Sequence, residues 1–149
     1  AHHLSLRKIR EQNRTRPAIT LTGNFGLRER FLAALPFELT GDQRATLDDI
    51  DSDLARTHPM MRLVQGDVGC GKTVVAAAAA LTAVAEGHQV AIMAPTELLG
   101  EQHRDSFAEW LTPLGITVAW LSGGLTRKAR EQVYLAISNG DAAVIVGTK

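Results

Sequence analysis

Cysteine is almost absent: Cys70 is the only one in 149 residues. A single thiol excludes an internal disulfide framework and a cysteine-rich metal site, and it suits a reducing, cytoplasmic compartment. Net charge is absent too, because 16 basic residues balance 16 acidic ones. No global electrostatic attraction to nucleic acid follows from such a balance. Long hydrophobic runs are also missing. The longest, from Val74 to Ala85, has about a dozen residues where a membrane helix needs ~20, so it reads as a buried helix and no membrane partner is expected. The N-terminus shows no apolar core of a signal peptide.

What is present is an ordinary globular balance, 45% apolar and 21% charged, in a chain long enough for one domain with a real core. The zero net charge hides an uneven distribution. Arg7, Lys8, Arg10, Arg14, Arg16, Arg28 and Arg30 face only Glu11 and Glu29 in the first stretch. Glu38, Asp42, Asp48, Asp49, Asp51 and Asp53 then face only Arg44. A basic arm beside an acidic helix points to local electrostatics.

Along the chain, Leu4 to Gln12 carries a weak helical pattern, followed by linker residues Asn13, Thr15, Pro17 and Gly23. A short helix is expected from Leu27 to Leu35, stopped by Pro36, and a longer one capped by Thr40 and running to about Ala55. From Met60 the pattern becomes an alternation. Strands are expected at Met60–Gln65, Val90–Ala94, Thr117–Leu121 and Ala142–Val146, with helices at Lys72–Glu86, Thr96–Leu111 and Thr126–Asn139. Alternation with short links calls for parallel strands and right-handed crossovers: an open α/β sheet with helices on both faces.

The chemistry sits in Gly66-Asp67-Val68-Gly69-Cys70-Gly71-Lys72-Thr73, which matches G-x-x-x-x-G-K-[ST] in full. Its glycines permit backbone angles that a Cβ forbids, so successive N–H groups turn inward. With the N-terminus of the next helix they make an anion site for nucleotide phosphates. Lys72 reaches the β- and γ-phosphates as a mobile charge, and the Thr73 hydroxyl can ligate Mg²⁺. A chance glycine turn is the alternative, but the setting between an apolar run and a helix is what phosphate binding demands.

Two other segments admit double readings. Thr96, in Ala94-Pro95-Thr96-Glu97-Leu98-Leu99, is a helix N-cap at the sheet edge where open α/β sheets bind ligands. That helix start can also hold a strand phosphate through backbone N–H groups. His103, further along, reads as a surface or packing residue. Thr40 and Gln43 have capping-box spacing; Gln43 can equally read adenine, accepting from N6–H and donating to N7.

The order of these elements resembles the first RecA-like domain of superfamily-two helicases. Leu35-Pro36-Phe37-Glu38-Leu39-Thr40, Met60-Met61-Arg62-Leu63-Val64-Gln65-Gly66-Asp67-Val68-Gly69 and Ala94-Pro95-Thr96-Glu97-Leu98-Leu99 resemble the RecG family of branched-DNA helicases, over about Leu27 to Lys149. The resemblance implies a P-loop NTPase fold: residues 1–34 a basic helical extension from a wedge domain, residues 35–149 the start of the motor domain. It implies ATP and Mg²⁺ as cofactors, with Gln43 on adenine and Gly66, Asp67, Val68, Gly69, Cys70, Gly71, Lys72 and Thr73 around the phosphates. Thr96, Gln102, Gly123, Gly124, Gly147 and Thr148 would line a DNA track, with forks and Holliday junctions as substrates and a monomer as the expected state.

The sequence departs from that pattern at Cys70, where a serine is expected, and at Lys149, where a histidine is expected. No acidic strand end or second-domain arginine for hydrolysis appears, so the polypeptide reads as a nucleotide-binding piece of an ATPase, inactive by itself. The motor of the transcription-repair coupling factor and a non-catalytic nucleotide- or DNA-binding module remain alternatives. A small P-loop kinase lacks recognisable acceptor-site and lid residues.

Overall fold

The computed structural model describes residues 2–67 and 71–149. Three parallel strands, β1 (Val90–Ala94), β2 (Val118–Leu121) and β3 (Val144–Thr148), lie in the order β1-β3-β2. Parallel neighbours require crossovers, supplied by α5 (Glu97–Leu111) between β1 and β2 and α6 (Arg127–Ser138) between β2 and β3. These crossovers run in opposite directions along the sheet, so the right-handed rule sends the two helices to opposite faces.

Register places Val90, Ile92 and Ala94 beside Val144, Val146 and Thr148, and Val118 and Trp120 beside Val144 and Val146. This face carries the core. Helices α4 (Lys72–Ala85) and α5 pack against the sheet, and α2 (Gly26–Ala34) and α3 (Gly41–Leu54) pack in turn on α4, in one core that includes Phe31, Leu47, Ile50, Leu81, Phe107 and Leu111. Two glycines permit close approaches, one between α5 and the sheet and one between β3 and β2. A Cβ on Gly100 of α5 would stand 2.8 Å from the Trp120 ring and 2.9 Å from Thr148 Cγ2. One on Gly147 would stand 2.7 Å from the Leu121 carbonyl.

Sequence and structure agree on most elements to within two residues, with α1 (His2–Arg14) longer than its pattern suggests. They disagree at Met60–Gln65, which is extended yet belongs to no strand. A strand exists only when a neighbour offers a ladder of N–H and C=O groups. Here β3 already pairs on both sides, and residues 60–65 form no ladder with β1 or β2. Leu63 is accordingly 76% exposed, although Met60 and Val64 still touch the core.

The helical layer also buries a charge. Arg28 of α2 donates to both carboxylate oxygens of Asp51 in α3 and, at 2.7 Å, to the Thr82 hydroxyl in α4. Its guanidinium also lies 4.5 Å from the centre of the Phe25 ring. Three helices are thus tied through one buried cation, and the linker before α2 follows them: Leu21 N–H donates to Leu54 O and Gly23 N–H to Glu86 Oε1.

Removing Arg28 leaves Asp51 and Thr82 without that donor in a mostly dry layer. Arg28→Ala is expected to cost about 2–3 kcal/mol, below the fully buried case because Asp51 keeps some solvent contact. Arg56→Ala, which breaks an exposed pair 3.5 Å from Asp53, should cost under about 0.5 kcal/mol. Urea unfolding midpoints of the two variants check the difference; equal losses would remove the special role of Arg28.

Candidate nucleotide site and strand-facing edge

Helices α3, α5 and α6 each begin with a threonine hydroxyl accepting a backbone N–H: Thr40 from Gln43, Thr96 from Leu99, and Thr126 from Ala129. Helix α4 begins differently. Its N-cap is Gly71, at φ +80° in the left-handed region, with no side chain capping the first turn. The α4 N-terminus therefore presents its first-turn N–H groups and positive dipole end to whatever lies in front of it. Lys72 projects back from this turn and donates through Nζ to the Gly66 carbonyl at 2.7 Å, so the ammonium spans the mouth of the loop. Thr73 sits half-buried beside it, and Gly66 and Asp67 are exposed. Val68, Gly69 and Cys70 lie outside the described residues.

Gln43 completes the arrangement. Both halves of the capping box are present: Gln43 N–H donates to Thr40 Oγ1 at 3.2 Å, and Thr40 N–H donates to Gln43 Oε1 at 2.9 Å. The cap fixes the amide so that its Nε2 end lies against Gly71, where an added Cβ would run into it. Capping and proximity to the loop are thus one geometry. The cradle fits a nucleotide with its metal: glycine where a Cβ would fill the space, an uncapped helix start, and a lysine and a threonine hydroxyl beside it.

A second group of expected residues gathers around the first turn of α5. Thr96 is exposed as its N-cap. The exposed Gly123–Gly124 loop lies next to it, since a Cβ on Gly124 would be 3.7 Å from Glu97 Oε1. Arg130, which sequence reasoning passed over, holds this loop by donating to the Gly123 carbonyl at 3.2 Å. Thr148 is different: its methyl lies under Gly100, and its hydroxyl is buried with no hydrogen-bond partner among the described residues. Gln102 is not drawn into this group. It lies two residues beyond the sheet-facing Gly100, about 200° round the helix, and is exposed. The half-buried Trp120 at this edge stacks under Arg104, 5.1 Å from the ring centre.

Sequence reading also missed an arginine group near the end of α3. Arg62 donates Nε–H to Asp53 Oδ2 at 2.7 Å and places Nη1 3.8 Å from Asp49. That hydrogen bond is the main cause holding the Asp53 carboxyl below the usual carboxylate range, helped by the positive charges of Arg62 and Arg56 and opposed by burial. Nothing local in the sequence signals it, because Arg62 is nine residues from Asp53.

Known proteins resemble the whole chain. RecG of Haemophilus influenzae (strain Rd) is 49% identical over 148 residues, covering 99% of this chain and 21% of the relative. RecG of Escherichia coli O127:H6 is 53% identical with the same coverage. The chain therefore spans about a fifth of the length of the curated relatives it matches. Among solved structures, RecG bound to a three-way DNA junction superimposes with a TM-score of 0.89 at 38% identity, over 97% of this chain and 20% of that one. A hypothetical ATP-dependent RNA helicase from Sulfolobus tokodaii shares the fold, with a TM-score of 0.59 at 22% identity, over 82% of this chain and 33% of that one. The family model described as DEAD/DEAH box helicase matches residues 40–149, the stretch that holds Gln43, the phosphate loop and the α5 edge. The chain belongs to the DEAD/DEAH box helicase family, and within it the sequence is RecG-like throughout.

Proposed function

We propose that this chain is the nucleotide-binding part of an ATP-dependent DNA helicase or translocase that remodels branched DNA, such as stalled forks and Holliday junctions, in recombination and repair. The observation that carries the reading is the α4 N-terminus, opened by Gly71 and flanked by Lys72 and Gln43, in a sequence about half identical to RecG proteins. Those relatives favour it over the coupling-factor motor. Residues 35–149 form the start of the motor domain, and residues 1–34 lead into it, with α2 packed on α4 through Phe31. The single cysteine supports a cytoplasmic location.

ATP with Mg²⁺ supplies the phosphoryl transfer that drives such a motor. The residues of this chain bind and orient. The N–H groups at the α4 N-terminus would hold the phosphates, Lys72 would exchange the Gly66 carbonyl for the β- and γ-phosphates, and Thr73 would offer its hydroxyl to the metal. Gln43, already oriented by its cap, would offer its amide edge to adenine. Thr96 and the Gly123–Gly124 loop would face the strand, Thr148 would only shape the α5 turn because its hydroxyl is buried, and Gln102 points away from that group.

In the full-length protein, forked DNA should stimulate ATP hydrolysis, and Lys72→Ala should lower the stimulated rate roughly 100-fold or more. Stimulated turnover that persists in Lys72→Ala would place the nucleotide elsewhere. Gln43→Ala should lose about 1 kcal/mol of stability with its cap and also weaken ATP at least tenfold more than GTP. A melting curve together with the ATP/GTP affinity ratio separates the two effects. Loss of stability with an unchanged ratio would leave Gln43 as a cap alone.

A further inference from the structure

The basic stretch at the start of the chain takes no part in the nucleotide site, and the molecule's large open cleft lies beside it. This cleft, about 670 Å³, is lined by Arg10 and Arg14 of α1, by Arg56 and Asp53 at the end of α3, and by Arg62 and Met61 of the extended segment before the phosphate loop. Four guanidinium groups therefore surround one carboxylate. Asp53 is already shared between Arg62 at 2.7 Å and Arg56 at 3.5 Å, so its charge is committed locally. Arg10 and Arg14 form no ion pair among the described residues. They lie four residues apart, one above the other on a single face of α1.

A solvated basic face usually spreads its cations outward. Here they converge from three segments on one concavity whose lining is mostly polar and which also includes Met61, whose sulfur accepts from Asn13 Nδ2 at 3.2 Å. Planar guanidinium forks match phosphate oxygens in pairs, and the stacked pair on α1 suits successive phosphates of one strand. A lone small anion would leave most of such a cleft unused. We propose that the cleft grips the phosphodiester backbone of DNA, at the opposite end of the 58–67 segment from the phosphate loop, as a contact separate from the α5 edge. The proposal rests on the DNA-motor reading above.

The test uses the full-length protein and a labelled forked duplex, with affinity measured by anisotropy across a salt series. Arg10→Gln with Arg14→Gln should weaken binding roughly tenfold at low salt and make the slope of log K against log [salt] shallower by about 2, since each duplex phosphate contact contributes ~0.9. Asp53→Asn removes the carboxylate and should act in the opposite direction, with tighter binding and a steeper slope. Damage to folding cannot produce opposite signs. Unchanged affinity and slope in both variants, with wild-type protein binding DNA normally, would overturn the cleft while leaving the motor reading intact. So would equal weakening in both, or a lowered melting temperature with unchanged DNA binding, which would make the cleft an internal docking surface. A wild-type protein that binds no DNA overturns both readings.

Discussion

The phosphate-loop end of helix α4 is held by the burial of the helix's middle. Val74, Val75, Ala77, Ala78, Ala80 and Leu81 are almost fully excluded from solvent, so the helix is apolar on more than one face and must be surrounded. Helices α2 and α3 and strand β1 all pack against it. Its alanines let those neighbours come close, and packing at that distance leaves little freedom at the N-terminal turn. The polar end of α4 is held in position by its apolar length.

The polar interactions then organise around that constraint. Arg28 joins α2 and α3 to Thr82, which lies inside α4, and so joins the element bearing Gln43 to the helix bearing Lys72. A buried cation is costly without partners, and its geometry admits only one relative placement of the three helices. The helix starts divide in the same way. Threonines close α3, α5 and α6, whereas a left-handed glycine opens α4 and leaves its dipole end available.

Charge follows a different logic at the other end of the chain. The acidic helix α3 does take up basic partners, but selectively: Asp51 pairs with Arg28, and Asp53 with Arg62 and Arg56. Arg10 and Arg14 stay outside these pairings. A neutral protein therefore keeps a concentrated basic concavity, because local pairing and not net charge determines the field at its surface.

Local patterns in the sequence determined much. The capping box at Thr40 and Gln43, the threonine caps of α5 and α6, and the stop at Pro36 depend on residues within a few positions of one another, and short-range sterics and hydrogen bonds decide them. The tertiary structure decided whatever requires a distant partner. Residues 60–65 have a strand's composition but no neighbouring ladder, so they stay unpaired. Thr148 looked like an edge residue until Gly100 covered it. Gln43 met Gly71 only through the packing of α3 on α4, and Arg10, Arg14 and Arg62 came to line one cleft only in the folded chain. Contact between residues far apart in the chain depends on how whole elements bury their apolar faces, and periodicity along one element cannot report where another will lie.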